Sequence, residues 1–131
     1  VYPQNPTYLS LDGDIWIKGY GTYKGTDNSH YVGNFLNGLF HGQGVLTKFN
    51  GSRYEGQFIN GTLNGPSIKI YVTGDYIEGN FIDDVEHGYG KYYYAGGGVY
   101  EGEFHNGWMT GQGIMEFFDG SKFIGSFEDS E

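Results

Sequence analysis

The 131-residue sequence contains no cysteine, which excludes disulfide bonds and thiolate chemistry and fits a reducing compartment. Only 7 lysine and arginine residues stand against 16 aspartate and glutamate residues, so the formal net charge is −9. Because so acidic a chain repels phosphate groups, no nucleic acid is expected as a partner, anionic membranes are disfavoured, and a basic protein is favoured. No apolar run approaches the roughly 20 residues of a membrane-spanning helix, and no signal peptide is visible.

Glycine and aromatic residues dominate the chain instead, with 25 glycines beside 13 tyrosines and 10 phenylalanines. A motif of the form aromatic-x-Gly-x-Phe recurs every 23 residues, and isoleucine replaces its first aromatic residue once. The five motifs begin at Tyr31, Tyr54, Ile77, Tyr100 and Phe123. A fixed period without insertions indicates one supersecondary unit stacked on copies of itself, which favours binding over catalysis as the function.

The unit at residues 31–53 predicts a β-hairpin. Residues 31–36 alternate as a strand does, and Asn37-Gly38 is a strong turn signal. A second strand follows over residues 45–49, and a turn at 50–52 leads into the next unit. Because such short connections impose antiparallel pairing of successive strands, we predict an all-β fold: an elongated, twisted, single-layer antiparallel meander of tandem hairpins, about 50 Å long.

The same period divides the chain into units. We predict a tail at residues 1–7, a degenerate capping repeat at 8–30, full repeats at 31–53, 54–76, 77–99 and 100–122, and a truncated repeat at 123–131. Together these units form one solenoid-like domain. In the capping repeat, residues 7–11 are interpreted as a divergent first strand and residues 12–17 as a divergent hairpin. Since the chain starts at Val1 and ends inside a repeat, we expect it to be part of a longer protein.

The recurring positions together read Tyr-x-Gly-x-Phe-x-x-Gly-x-x-His-Gly-x-Gly, and residues 31–44 match this frame throughout. The frame resembles the MORN repeat (membrane occupation and recognition nexus). Other units depart from it: Thr110 replaces the histidine, Asp84 replaces the turn glycine, and Ser67 replaces the last glycine. The resemblance implies a ribbon of β-hairpins that serves as a scaffold or docking surface and has no enzyme activity. It also implies a cytoplasmic protein associated with the cytoskeleton or with membranes.

Alternation along a strand places the frame aromatics and glycines on one face of the sheet, here called the frame face. In the first full unit, Tyr31, Gly33 and Phe35 share this face with Gly44 across the hairpin. The glycines leave room for rings to lie flat over the neighbouring backbone, because a single-layer sheet has only its own large side chains to form a core. We therefore interpret the frame tyrosines and phenylalanines as core residues.

The opposite face predicts a second feature, an apolar stripe rimmed by carboxylates. Its second-strand residues are mostly apolar where a solvated face would be polar, while the first strands contribute acids such as Glu55, Glu78 and Glu101. The second-strand set is Val45, Thr47, Phe49, Ile68, Ile70, Val72, Lys91, Tyr93, Ala95, Ile114, Glu116 and Phe118. Three roles stay open for this stripe: binding a partner, self-association, and packing against another part of the parent protein.

Several large side chains exceed what the frame-face core requires. They are Tyr71, Tyr92, Tyr94, Trp108, Met115 and Phe117. Because rigid aromatics are good binding anchors, we predict that these residues, with Glu55, Glu78 and Glu101, bind a peptide or helix of a partner protein along an aromatic groove with an acidic rim. The alternative is that they only thicken the core.

The sequence predicts no catalytic residue, no metal ligand and no cofactor. His41 and His87 lie two repeats, or about 19 Å, apart, which is too far for one metal ion, and we interpret them as turn residues that hydrogen-bond the backbone. Asp83-Asp84 is interpreted as a solvated turn rather than a cation site. Two alternatives to protein docking stay open: a phospholipid-binding or targeting arm of a larger enzyme, and a homodimer formed through the open sheet edges.

Overall fold

The computed structural model describes residues 18–130 and folds them into one antiparallel sheet of ten strands. The strands are β1 (Lys18–Lys24), β2 (His30–Leu36), β3 (Leu39–Thr47), β4 (Arg53–Ile59), β5 (Thr62–Ile70), β6 (Tyr76–Ile82), β7 (Val85–Tyr93), β8 (Gly98–His105), β9 (Trp108–Phe117) and β10 (Lys122–Ser130). Each strand pairs with the next one along the chain, which confirms the predicted all-β meander. The predicted tail and the divergent strand and hairpin up to residue 17 lie outside the described residues. None of residues 18–130 belongs to a helix that could cross a membrane.

The hairpin tips are two-residue turns in which both residues have positive φ. Asn37 and Gly38 have φ values of 52° and 80°, as a type I′ turn requires. Asp84 stands where the frame has this glycine and still adopts φ 72°. Its carboxylate Oδ1 accepts a hydrogen bond from Leu63 N at 2.7 Å, and its own N–H donates to the Leu63 carbonyl oxygen at 2.9 Å. These bonds to the preceding hairpin offset the strain of a non-glycine residue in this conformation.

The turns between units begin earlier than the sequence predicts. In the first of them, Lys48 N donates to the Ser52 carbonyl oxygen at 2.8 Å, and Gly51 N donates to the Lys48 carbonyl oxygen at 2.9 Å. The chain therefore leaves the sheet before the predicted end of each second strand. The prediction was wrong for four strand residues that lie in these turns: Phe49, Val72, Ala95 and Phe118.

Every full hairpin contains a β-bulge at the same place. In the first, Gly33 pairs with Gly44 but Phe35 pairs with Phe40, so Asn34 faces three residues of β3. Gly42 lies in this bulge with φ 79°, a conformation that favours glycine. The bulge recurs in the other three hairpins. Because a bulge bends its strand, each hairpin tip is turned relative to the rest of the sheet.

The frame aromatics form the core, as predicted. Tyr31 and Tyr100 are fully buried, and the four frame phenylalanines from Phe35 to Phe104 are at most 4% exposed. The Tyr31 ring lies flat over Gly44, where a methyl group in place of the glycine hydrogen would lie 2.1 Å from Tyr31 Oη. Tyr100 covers Gly113 in the same way.

Two frame aromatics depart from this arrangement. Ser67 replaces the last frame glycine in its unit, and its Oγ occupies the space above Gly56, so the Tyr54 ring does not lie there and is only half-buried. Phe123 is 47% exposed because β10 pairs only with β9 among the described residues. Both rings lack the glycine of the following strand on which Tyr31 and Tyr100 pack.

Candidate functional site

A groove with a volume of about 490 Å³ lies on the frame face and is called the aromatic groove below. Turns between units border one side, and the hairpin tip at Gly107 borders the other. Its lining residues are Asn50, Ser52, Tyr71, Val72, Thr73, Asp75, Ile77, Glu86, Tyr92, Phe104, Gly107, Trp108 and Met109. Ile77, Phe104 and Met109 are buried core residues, so the groove floor is continuous with the core of the sheet.

Three tyrosines form a row beside the groove. The rings of Tyr71 and Tyr92 stack at 22° with their centroids 6.5 Å apart, and the Tyr94 ring lies 4.5 Å from that of Tyr92. The Tyr92 hydroxyl group donates to Asp75 Oδ2 at 2.6 Å, while Ala95 N donates to Asp75 Oδ1 at 2.7 Å. Asp75 therefore ties the Tyr92 side chain to the turn that follows it.

The electrostatic surroundings keep these phenols protonated. Burial raises the pKa of Tyr71 above its ordinary value, and the nearby Glu86 carboxylate raises it further. Burial and then the hydrogen bond to Asp75 raise the pKa of Tyr92 in the same direction. A tyrosine with its ordinary pKa of about 10 is already protonated at neutral pH, so the raised pKa values extend to more alkaline pH the range in which both side chains are neutral hydroxyl donors.

A buried ion pair lies at the groove. Lys69 and Glu86 are each less than a tenth exposed, and Lys69 Nζ lies 3.3 Å from Glu86 Oε1. The ammonium group also donates to the Asp84 carbonyl oxygen and lies 4.7 Å from the centre of the Tyr54 ring. Other full units carry apolar residues at these positions: Leu46, Tyr92 and Met115 at that of Lys69, and Phe40, Leu63 and Met109 at that of Glu86. Two mutually neutralising charges thus replace two apolar side chains.

The structure brings together three of the six large side chains that were predicted to form the site. Tyr71, Tyr92 and Trp108 all line the groove. Tyr94 and Met115 instead pack, partly buried, against the core residues Tyr100, Phe104 and Met109, and the Tyr94 hydroxyl group lies 3.9 Å from Met109 Sδ. Phe117 is 47% exposed and lies outside the groove lining. For Tyr94 and Met115, the observed positions therefore agree better with the alternative of a thickened core than with a place in the groove lining.

The three predicted glutamates lie on the opposite face, so they do not rim the aromatic groove. Glu55 pairs across the strands with Val45 and Ile68, on the face opposite to Tyr54. Glu78 and Glu101 occupy the same row on either side of Lys91. The carboxylates that do line the groove belong to Asp75 and Glu86. The sequence analysis did not identify Asp75 or Glu86 as site residues. Glu86 could have been identified, because the other units carry an apolar residue at its position.

The opposite face also differs from the predicted stripe. Cross-strand pairing places acidic and apolar residues alternately along one row, so the carboxylates interrupt the apolar residues and do not border them. A second hollow, of about 690 Å³, lies on this face. The two glutamates that line this hollow, Glu55 and Glu78, already have partners within the protein. An Arg53 guanidinium nitrogen lies 2.6 Å from Glu55 Oε2, and the Tyr93 hydroxyl group donates to Glu78 Oε1 at 3.3 Å. The Tyr89 hydroxyl group donates to Glu101.

His41 does not make the predicted backbone hydrogen bond through Nδ1, since that atom is buried and has no hydrogen-bond partner among the described residues. His87 lies against His105, with ring centroids 4.9 Å apart. Within residues 18–130, no three histidine, aspartate or glutamate side chains are arranged to hold a metal ion.

The Asp83-Asp84 turn is not simply solvated. Asp83 N donates to Asn64 Oδ1 at 3.1 Å, and the Thr62 hydroxyl group donates to Asp83 Oδ1 at 3.3 Å. Together with the bond from Leu63 N to Asp84, these contacts attach the turn to the preceding hairpin. The two carboxylates therefore have a structural role.

Comparison with known families gives one result. Four consecutive segments match the MORN repeat, at residues 31–53, 54–76, 78–99 and 100–122, and these matches cover more than half of the chain. No curated protein matches the sequence significantly. MORN repeats are non-catalytic modules that are generally associated with interactions with proteins or membranes.

Proposed function

Since the chain belongs to the MORN repeat family, we propose that it is a non-enzymatic docking module that binds a peptide or helix of a partner protein in the aromatic groove. The observation that carries this proposal is the convergence of Tyr71, Tyr92 and Trp108 on one hollow. None of the three is a frame residue; Tyr71 and Tyr92 also pack, partly buried, against the core, while Trp108 is 38% exposed. Aromatic side chains with few rotatable bonds are the usual anchors of protein interfaces.

The groove is suited to binding in size and in rigidity. Its volume of about 490 Å³ lies within the range of roughly 300–1,000 Å³ that is typical of ligand sites. The bond between Tyr92 and Asp75 holds one wall in place, and the backbone bond from Gly107 N to the Glu86 carbonyl oxygen at 3.0 Å holds the other. Little conformational entropy is therefore lost when a partner binds.

A protein partner is favoured over a phospholipid. Asp75 and Glu86 place two carboxylates in the groove lining, which contains no lysine or arginine, and Lys69 nearby is already paired with Glu86. A phosphate head group would meet two carboxylates there and no cation among the lining residues.

Peptides selected on the immobilised protein from a random library provide the test. Trp108→Ala should weaken their binding at least tenfold, because the anchor and the groove wall are lost together. Phe118→Ala is the matched control, since Phe118 is 81% exposed and does not line the groove. The groove assignment is rejected if Trp108→Ala leaves the affinity unchanged, or if Phe118→Ala weakens it equally.

A further inference from the structure

Glu86 presents an incompletely paired carboxylate to the aromatic groove. The residue is 7% exposed, and its Oε1 faces Lys69 Nζ at 3.3 Å. The other oxygen, Oε2, points toward Gly107, since a methyl group built on that glycine would lie 3.7 Å away. No donor among the described residues reaches Oε2 within hydrogen-bonding distance. Unlike His41 Nδ1, Oε2 is not a buried unpaired atom, so it keeps contact with solvent in the groove and is open to a donor from outside the chain.

The remaining charges around the groove point to the sign of that donor. The carboxylate of Asp75 has no ion-pair partner among the described residues, because its two hydrogen bonds come from the neutral Tyr92 hydroxyl group and from Ala95 N. With Glu86 and Lys69 neutralising each other, the groove carries one net negative charge. Tyr71 and Trp108 are among the lining residues, and aromatic rings attract cations through their π faces.

We propose that the bound partner inserts a lysine or arginine side chain among Tyr71, Tyr92 and Trp108, and that its cationic group donates to Oε2 of Glu86. The aliphatic part of such a side chain packs against the rings while its charge reaches the carboxylate. This inference rests on the proposed docking function and specifies the chemistry of the partner as a basic segment.

The ion pair makes the groove selective. Lys69 occupies one oxygen of Glu86 and leaves the other for the partner, so Glu86 bridges an internal and an external cation. A neutral side chain in the groove would leave Oε2 without a charged donor, and an acidic one would be repelled. Removing the positive charge of Lys69 should therefore strengthen the attraction of the groove for a cation, whereas neutralising Glu86 should weaken it.

Two synthetic peptides serve as probes: an 18-residue amphipathic helix of leucine and lysine, and the same peptide with every lysine replaced by glutamine. Dissociation constants are measured by calorimetry, and occupancy of the groove is followed by NMR through the Trp108 indole N–H, assigned with Trp108→Phe. We expect the lysine peptide to shift the Trp108 signal and to bind at least tenfold more tightly than the glutamine peptide. Glu86→Gln should remove that preference, and Lys69→Met should increase it.

Glu103→Gln controls for net charge, because Glu103 is exposed on the opposite face and its change alters the net charge by the same amount as Glu86→Gln. Equal weakening by the two glutamine variants would overturn the proposal as an effect of overall charge. If Glu86→Gln does not fold, Lys69→Met decides: tighter binding supports the proposal, and unchanged or weaker binding overturns it. If Glu86→Gln and Lys69→Met both fail to fold, the two peptides are compared on the native chain alone. Tighter binding of the lysine peptide then supports the proposal, and equal or weaker binding overturns it.

The same experiment separates this inference from the docking function. Equal binding of both peptides, each with a shift of the Trp108 signal, would overturn the lysine preference and leave docking in the groove supported. Absence of any Trp108 shift with either peptide would overturn the cation site, and the docking function would then stand or fall with the selected peptides and Trp108→Ala.

Discussion

The ring of Tyr31 lies flat against the backbone of Gly44, and its hydroxyl group donates to the Asn34 carbonyl oxygen at 2.8 Å. Tyr100 repeats the arrangement over Gly113, with a bond of 2.9 Å to the Glu103 carbonyl oxygen. The recurring glycine is therefore the surface on which the recurring tyrosine packs. A sheet of one layer obtains its core in this way, because within residues 18–130 no second layer covers the rings.

Substituting Gly44 with alanine should destabilise the protein by about 2–3 kcal/mol, since the added methyl group would lie 2.1 Å from Tyr31 Oη and would displace the ring. Urea unfolding followed by tyrosine fluorescence measures the change. Gly96→Ala is the matched control, because Gly96 has no atom within 4 Å of the added group and should shift stability by no more than about 0.5 kcal/mol. Equal losses in the two variants would contradict this account of the glycine.

The carboxylate of Asp84 compensates for the missing turn glycine, and variants at this position should show it. Asp84→Gly removes the acceptor for Leu63 N, whose residue is fully buried, and should cost about 1–3 kcal/mol even though it restores the repeat frame. Asp84→Ala should cost about 1 kcal/mol more, because alanine is strained at φ 72°.

Asp84→Asn is the control for these variants. Asparagine retains an acceptor oxygen and tolerates the left-handed conformation, so it should remain close to the native stability. Urea titrations of the three variants give the ranking, and a gain in stability for Asp84→Gly would show that the carboxylate bond contributes nothing.

The period of 23 residues was enough to predict the sheet, its strand order and its core, because each unit repeats the same alternation and the same turn residues. Residue Trp108 could also be singled out, since no frame position requires it. The contact between Lys69 and Glu86 could not be predicted, because it joins residues 17 positions apart across a bulge that changes the strand register. Periodicity placed Glu55 and its equivalents on the opposite face, but it did not show that Asp75 would turn inward to bind Tyr92.

Breaking the buried ion pair should be costly, whereas replacing both members should not be. Lys69→Leu or Glu86→Leu alone leaves one buried charge without its partner, and each should cost about 3–5 kcal/mol. The double variant gives both positions the apolar character that the other units have there, and its stability should be near or above the native value. A double-mutant cycle in urea measures the coupling, and additive losses in the double variant would contradict a direct interaction between the two charges.

The turn at Asp119 should show a dependence on acid pH. Its carboxylate accepts hydrogen bonds from the Ser121 hydroxyl group at 2.6 Å and from Ser121 N at 2.9 Å, and these bonds lower the pKa of Asp119 below the ordinary 3.8. Because the folded pKa is depressed, the stabilisation is fully present above pH 3.8 and is lost as the pH falls through the folded pKa.

NMR titration of the Asp119 carboxyl carbon should give a midpoint below 3.8, and Ser121→Ala should move it upward by removing the first of the two bonds. Asp27 and Ser29 form the equivalent pair in another turn and provide an internal control, because the Asp27 midpoint is also depressed and should not respond to Ser121→Ala. An Asp119 midpoint that stays in place in the alanine variant would show that the hydroxyl bond does not hold this turn.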